Sequence, residues 1–165
     1  MSKVQNVFLI GAKSLGAYGG YETFVYKLTE YHQNNPNIKY HVACKANGDG
    51  CMDETKLDNV KRVSDSEFEF HNARCFKIHI PQIGPAQAIY YDVAALRECC
   101  KYIKKNNIEN PIVYIMACRI GPFARYFYMK IHKLGGKVYL NPDGHEWMRA
   151  KWSKPIRKYW KVSEQ

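Results

Sequence analysis

The feature that most constrains this sequence is a regular alternation between short apolar runs and segments with helical periodicity. The strand-like runs cover residues 4–11, 38–46, 74–81, 111–117 and 137–141. Three apolar stripes at helical spacing lie among them: Tyr21, Phe24, Val25, Leu28 and Tyr31; Ile89, Val93, Leu96, Cys100 and Ile103; and Phe123, Phe127, Ile131 and Leu134. Strands that alternate with helices pair in parallel through right-handed crossovers. The sequence therefore predicts an α/β fold, a Rossmann-like three-layer structure with a doubly wound, mainly parallel sheet.

Turn signals divide these segments. The stretch NNPN at residues 34–37 ends the first helix, and Pro85 suits the first turn of the second. Gly135 and Gly136 cap the third helix. Residues 47–59 are polar and predict a loop, whereas residues 60–70 favour no element clearly.

Length and composition exclude several classes of protein. The 165 residues suffice for one domain with a full core. No apolar run approaches the roughly 18 residues of a membrane-spanning helix, and the apolar patch near the N-terminus is too short for a signal peptide. The six cysteines form no C-x-x-C pair and no zinc spacing. We therefore expect reduced thiols in a cytoplasmic protein.

The loop after the first strand is rich in glycine. Ligands gather at the carboxyl ends of the strands in doubly wound sheets, and three loops there carry unusual residues: 11–22, 117–122 and 141–149. Gly16, Gly19 and Gly20 allow backbone N–H groups to approach a diphosphate or another anion. Their spacing matches neither G-x-G-x-x-G nor the Walker motif. Glu22, in the first helical turn, accepts hydrogen bonds from a sugar hydroxyl or only complements the helix dipole.

The other two loops carry the remaining candidates. Arg119 suits phosphate or carboxylate recognition, or is a surface arginine on a turn. Asp143, His145 and Glu146 cluster after the last strand, where Asp143 and His145 are candidates for acid–base catalysis. An Asp-Gly turn followed by a helix cap is the alternative.

The net charge of +10 is concentrated near the C-terminus. Residues 149–161 carry six basic and no acidic side chains, with Trp152, Tyr159 and Trp160 among them. Such a segment favours lipid headgroups, phosphorylated substrates or nucleic acid, or it is a solvated surface.

Four stretches in order, GAKSLGAYGGYETFVYKLTEYH, YHVACKA, ACRIGPF and NPDGHEWMRAKWSKPIRKYWKVSE, resemble the N-terminal domain of bacterial rhamnosyltransferase-like glycosyltransferases. These enzymes belong with the family 4 glycosyltransferases of the GT-B fold and build capsular and other surface polysaccharides. The resemblance implies an acceptor-side domain over residues 1–148 and a basic-aromatic segment over 149–165. That segment would lead to a C-terminal donor domain that these residues do not contain.

The resemblance also implies the chemistry. The donor is a nucleotide-sugar, with dTDP-rhamnose expected, and the acceptor is a lipid-linked sugar at the inner face of the cell membrane. Gly16, Gly19, Gly20, Glu22, Arg119 and Glu146 would bind substrate, and Asp143 or His145 would activate the acceptor. No D-x-D triplet occurs, which agrees with chemistry that requires no metal or other cofactor.

The C-terminal segment then acquires a specific partner. We expect peripheral association with an anionic membrane surface through Arg149, Lys151, Trp152, Lys154, Arg157, Lys158 and Trp160. A non-catalytic anion-binding or nucleic-acid-binding domain is the alternative, although no nucleic-acid recognition motif occurs. A dinucleotide-dependent oxidoreductase is disfavoured by the glycine spacing and by a second strand without an acidic residue.

Overall fold

The computed structural model of the chain describes residues 4–142, 148 and 153–163. Within them, seven strands form one sheet: β1 (Gln5–Ile10), β2 (Ile38–Lys45), β3 (Lys61–Arg62), β4 (Glu67–Phe70), β5 (Ala73–Ile78), β6 (Ile112–Ile115) and β7 (Lys137–Leu140). The helices are α1 (Gly20–His32), α2 (Gln87–Lys105), α3 (Ala124–Lys133) and α4 (Lys154–Ser163). Short 3-10 turns cover Glu54–Lys56, Gly84–Ala86 and Gly121–Phe123.

The strand order is β3-β4-β5-β2-β1-β6-β7. The five strands from β5 to β7 are parallel, and β3 and β4 add an antiparallel edge. The chain first moves from β1 to β2 and later returns to the other side of β1, at β6. This reversal places the topological switch point between β1 and β6, and the predicted doubly wound fold is confirmed.

Two cores lie on the two faces of the sheet. Alternate residues of β1 point to opposite faces, so Phe8 and Ile10 pack with α2 and α3, whereas Leu9 packs with α1. Leu96 and Phe127 are buried in the first core, and Val25 is buried in the second. Helices on both faces of a mainly parallel sheet give the three predicted layers.

The segment 60–70, which favoured no element clearly, forms β3 and β4. Both residues of β3 are exposed, so no apolar pattern marks this strand. In β4, Phe68 and Phe70 are buried and alternate with Glu67 and Glu69. Such short strands at a sheet edge give only a weak sequence signal.

The predicted buried face of α1 is wrong in part. Tyr31 and Phe24 are exposed, whereas Val25 and Thr29 are fully buried. Thr29 is tolerated in the core because its hydroxyl donates a hydrogen bond to the Val25 carbonyl at 3.0 Å. Phe123 is likewise half-exposed, since it lies in the 3-10 turn before α3.

Other local predictions are confirmed. Helix α1 ends at His32, just before the NNPN stretch, and Pro85 lies in the turn immediately before α2. Gly135 has φ +78° after the end of α3, a conformation that favours glycine. All six cysteines are free thiols, and five of them are buried.

Candidate functional site

The loops after β1 and β6 meet at the switch point. The Met116 amide donates to the Ile10 carbonyl at 2.8 Å, which extends the pairing of β1 and β6 to the ends of these strands. Gly11 follows with φ +119°, and a Cβ there would lie 3.3 Å from the Arg119 guanidinium. A side chain at Gly11 would be strained by this backbone conformation and would crowd Arg119 and Met116 in the loop after β6.

Glu22 holds the glycine loop by a hydrogen bond to its backbone. It lies in the first turn of α1, as predicted, and its Oε1 accepts a hydrogen bond from the Lys13 backbone N–H at 2.9 Å. The loop backbone is thus tied back to the helix that follows it. One carboxylate oxygen is committed to this bond, so sugar binding by Glu22 stays a prediction that concerns the other oxygen.

Gly19 leaves room for the side chain of Glu22. An added Cβ would collide with Glu22 Oε2, whereas a Cβ on Gly20 meets nothing within 4 Å. Gly16 has φ +78°, and a Cβ there would press on Leu57 at 3.2 Å. The predicted binding role of these three glycines is untested, but two of them have clear internal reasons to be glycine.

Arg119 is an internal residue rather than a surface arginine. Its Nε donates to Asp92 Oδ2 at 2.8 Å, and its Nη2 donates to the Gly11 carbonyl at 2.6 Å. Asp92 is fully buried on α2. Burial raises the pKa of Asp92 against the opposing effect of the guanidinium. Burial also acts to lower the pKa of Arg119, but Asp92 and Tyr91 together raise it. Arg119 therefore links α2 to the loops after β1 and β6.

Sequence reasoning missed a cationic pocket beside this ion pair. We call it the cationic pocket; its volume is about 200 Å³, and its lining comprises Lys13, Lys45, Asp49, Gly84, Pro85, Gln87, Ala88, Tyr91 and Arg119. Lys45 is the last residue of β2, and its Nζ donates to the Asp49 carbonyl at 2.7 Å. Burial and the nearby Lys13 lower the pKa of Lys45. Lys13 lies within the glycine loop, and a lysine at this place was the sequence signal that could have predicted the pocket.

An apolar groove lies next to the cationic pocket. It has a volume of about 380 Å³, and its walls are Ile83, Pro85, Ala86, Ile89, Pro155, Ile156, Tyr159 and Trp160. Helix α4 supplies one wall, and the Tyr159 hydroxyl fixes it by donating to the Arg119 carbonyl at 2.7 Å. The apolar groove therefore joins the C-terminal segment to the start of α2.

The prediction that Trp160 faces a membrane is wrong. Its exposed fraction is 6%, because α4 packs back on the domain and places the indole against it. Lys154, Arg157 and Lys158 are exposed on the same helix, so their predicted membrane role stays a prediction. The basic charge of the segment is thus presented by a helix whose aromatic residues face inward.

Several candidates lie outside the described residues: Asp143, His145, Glu146, Arg149, Lys151 and Trp152. Among the residues that the structure describes, no group of three His, Cys, Asp or Glu side chains is arranged to hold a metal ion. No helix in the described ranges has the length and apolarity needed to cross a membrane.

Comparison with known proteins gives one family. A family model described as "Domain of unknown function (DUF1972)" matches residues 4–165, nearly the entire chain. No curated protein matches the chain significantly.

Proposed function

We propose that this chain, which belongs to the DUF1972 family, is the acceptor-side N-terminal domain of a glycosyltransferase. It acts with a donor-binding domain to transfer a sugar, rhamnose by the resemblance, from a nucleotide-sugar to a lipid-linked saccharide in surface polysaccharide synthesis. DUF1972 domains are associated with the N-terminal regions of glycosyltransferases, which supports the class of reaction.

The observation that carries the proposal is the glycine loop at the switch point. Its backbone is held by the hydrogen bond that the Lys13 N–H donates to Glu22, and it lies beside Lys45 and the start of α2. Backbone N–H groups, ammonium groups and a helix N-terminus all favour a phosphorylated ligand. A doubly wound sheet binds ligands at this edge, so the location supports the same conclusion.

The roles of the residues follow from this geometry. The loop offers N–H groups and the second oxygen of Glu22 toward an interdomain cleft, where the donor diphosphate and sugar would lie. Arg119 and Asp92 hold the loop in position through the Gly11 carbonyl. Asp143 and His145 remain the proposed activators of the acceptor hydroxyl, and we propose that the reaction requires no metal ion. The enzyme would work at the inner face of the cell membrane.

The complete product of the gene provides the test. It is incubated with dTDP-rhamnose and a lipid-diphosphate saccharide, and transfer of labelled sugar is measured with and without a chelator of divalent cations. We expect transfer under both conditions, and a loss of at least about tenfold in Glu22→Ala because the loop no longer holds its position. Glu30→Ala is the matched control, since Glu30 lies on the same helix and pairs with the exposed Lys27.

Two results would count against the proposal. The absence of transfer from any of a panel of nucleotide-sugars would favour the alternative, a non-catalytic anion-binding domain that uses the same cationic pocket. Equal activity of Glu22→Ala and Glu30→Ala would show that neither the position of the loop nor the second oxygen of Glu22 contributes to transfer.

A further inference from the structure

The segment 83–89 separates the cationic pocket from the apolar groove. Pro85 lines both, Gln87 and Ala88 line the cationic side, and Ile83 and Ile89 line the apolar side. The cationic surface and the apolar surface therefore adjoin along this short segment. A ligand that spans this segment needs an anionic end and an apolar end.

A ligand can replace the Asp49 carboxylate that pairs with Lys13 in the cationic pocket. The Lys13 ammonium lies 3.1 Å from the Asp49 carboxylate, whose side chain is 95% exposed. Exposed ion pairs of this kind contribute little stability, so an incoming phosphate replaces the carboxylate at small cost. Lys45 is held at the base of the pocket by the Asp49 carbonyl, and an anion there would offset the burial of its charge.

The apolar groove is built from two parts of the chain that are far apart in sequence. The turn before α2 supplies one wall and α4 supplies the other. The Tyr159 hydroxyl is satisfied by the Arg119 carbonyl, so the groove presents mainly hydrocarbon. A surface of this kind favours an aliphatic or prenyl chain by removing apolar area from water.

We propose that the cationic pocket and the apolar groove together bind one single-chain lipid phosphate or diphosphate. The headgroup lies at Lys13 and Lys45, the chain crosses Pro85, and its first part lies between Ile89 and Trp160. The inference rests on the proposed function, since the ligand is the lipid-phosphate part of the acceptor. It goes further by assigning the lipid a site within the domain.

A recessed site favours a single lipid molecule over a bilayer surface. Lys45 is 7% exposed and Trp160 is 6% exposed, so neither reaches a flat membrane while the domain stays folded. A lipid drawn out of the membrane does reach them. The Lys13 backbone is bonded to Glu22, so the headgroup lies directly beside the glycine loop. The phosphate of the acceptor is thereby placed where sugar transfer is proposed.

Binding of farnesyl phosphate to the chain tests the inference without any transferase activity. Isothermal titration calorimetry compares farnesyl phosphate with farnesol and with inorganic phosphate. We expect farnesyl phosphate to bind at least about tenfold more tightly than either, because each of the others makes only half of the contacts. The variant Trp147→Phe/Trp152→Phe leaves Trp160 as the single tryptophan, and its emission should change with farnesyl phosphate.

Variants at half-exposed positions separate the two pockets without disturbing the core. Lys13→Gln should weaken farnesyl phosphate by about tenfold and leave farnesol unchanged. Ile83→Ser should weaken both prenyl compounds by several-fold, with Ile156→Ser as a second variant on the opposite wall. Lys104→Gln, at the exposed far end of α2, is the charge control and should match the unaltered chain.

Three results would overturn the inference. The first is no binding of farnesyl phosphate, and the second is equal binding of farnesyl phosphate and farnesol that ignores Lys13. The third is binding to phosphatidylglycerol vesicles that competes with farnesyl phosphate and is lost in the same variants, which would make this surface a membrane contact. If the lipid does not bind but sugar transfer is observed, the proposed function stands and only the lipid site is rejected.

Discussion

Arg119 Nε lies 2.8 Å from Asp92 Oδ2, and this ion pair joins the loop after β6 to the second turn of α2. Asp92 is completely buried, and the same guanidinium also donates to the Gly11 carbonyl in the loop after β1. One side chain therefore holds three parts of the candidate site. The ion pair of Arg119 and Asp92 therefore acts primarily on the stability of the domain and on the position of the glycine loop.

Asp92→Asn should lower the free energy of unfolding by about 3–5 kcal/mol, because it leaves a buried guanidinium without its counter-charge. Urea unfolding followed by circular dichroism measures the loss. Glu98→Gln is the control, since Glu98 on the same helix pairs with the exposed Lys101. Asp92→Asn/Arg119→Gln should lose less than the sum of its two single variants. If Asp92→Asn unfolds like Glu98→Gln, the ion pair does not hold the site together.

Gly19→Ala and Gly20→Ala should differ in their effects on stability although the residues are adjacent. Gly19→Ala forces the new methyl group against Glu22 Oε2 and should cost about 1–3 kcal/mol. Gly20→Ala meets nothing and begins α1, so it should be neutral or stabilise by up to about 1 kcal/mol. Thermal unfolding of both variants compares them.

A double variant identifies the cause of the Gly19 effect. Gly19→Ala/Glu22→Ala should be less destabilised than the sum of its two single variants, because the carboxylate that collides with the methyl group is gone. Strict additivity would show that Gly19→Ala acts through another contact.

Trp160→Ala should destabilise the domain by about 3–5 kcal/mol, as expected for loss of a buried indole. Val162→Ala, on the same helix but exposed, should have little effect. Limited proteolysis of the α4 segment and urea unfolding report the difference. If Trp160 served only as a membrane anchor, its replacement would leave the stability in solution unchanged. That outcome would support a membrane-facing Trp160.

Acid should destabilise the domain through His41. Burial, with smaller contributions from Arg74 and Lys39, lowers its pKa to about 3, and its Nε2 pairs with Asn6 Oδ1 at 2.8 Å. In the unfolded chain His41 takes up a proton below about pH 6.5, whereas in the folded chain it does not do so until near pH 3. The stability contribution is therefore complete above pH 6.5 and is lost as the pH falls, by about 2 kcal/mol between pH 7 and 5.

The histidine variants separate this effect from general acid sensitivity. His41→Gln should flatten the dependence of unfolding free energy on pH over that interval, at the cost of some stability at neutral pH. His79→Gln, at an exposed position, is the control. An unchanged slope in His41→Gln would assign the acid sensitivity to other groups.

The order of strands and helices was predictable because it depends on local periodicity. The parallel strands, the start of α1 before Glu22 and the glycine cap at Gly135 all follow from signals within a few residues of each element. Strand β3 was not predictable, since both of its residues are exposed and carry no apolar alternation. The buried face of α1 was also missed in part, because a helical stripe does not show which of its residues contact the sheet.

The sequence by itself determined the α/β class, the three helix–strand crossovers and the glycine loop with Glu22 in its first helical turn. Only the tertiary structure decided which residues share an environment. Asp92 precedes Arg119 by 27 residues, and Lys13 reaches Lys45 only because β1 and β2 pair in parallel and end at the same edge. Trp160 lies in a polar, basic stretch and is nevertheless buried, because α4 packs against the turn that follows β6. Ion pairs, pockets and burial of this kind depend on the strand order and on the face that each helix covers, which no local pattern encodes.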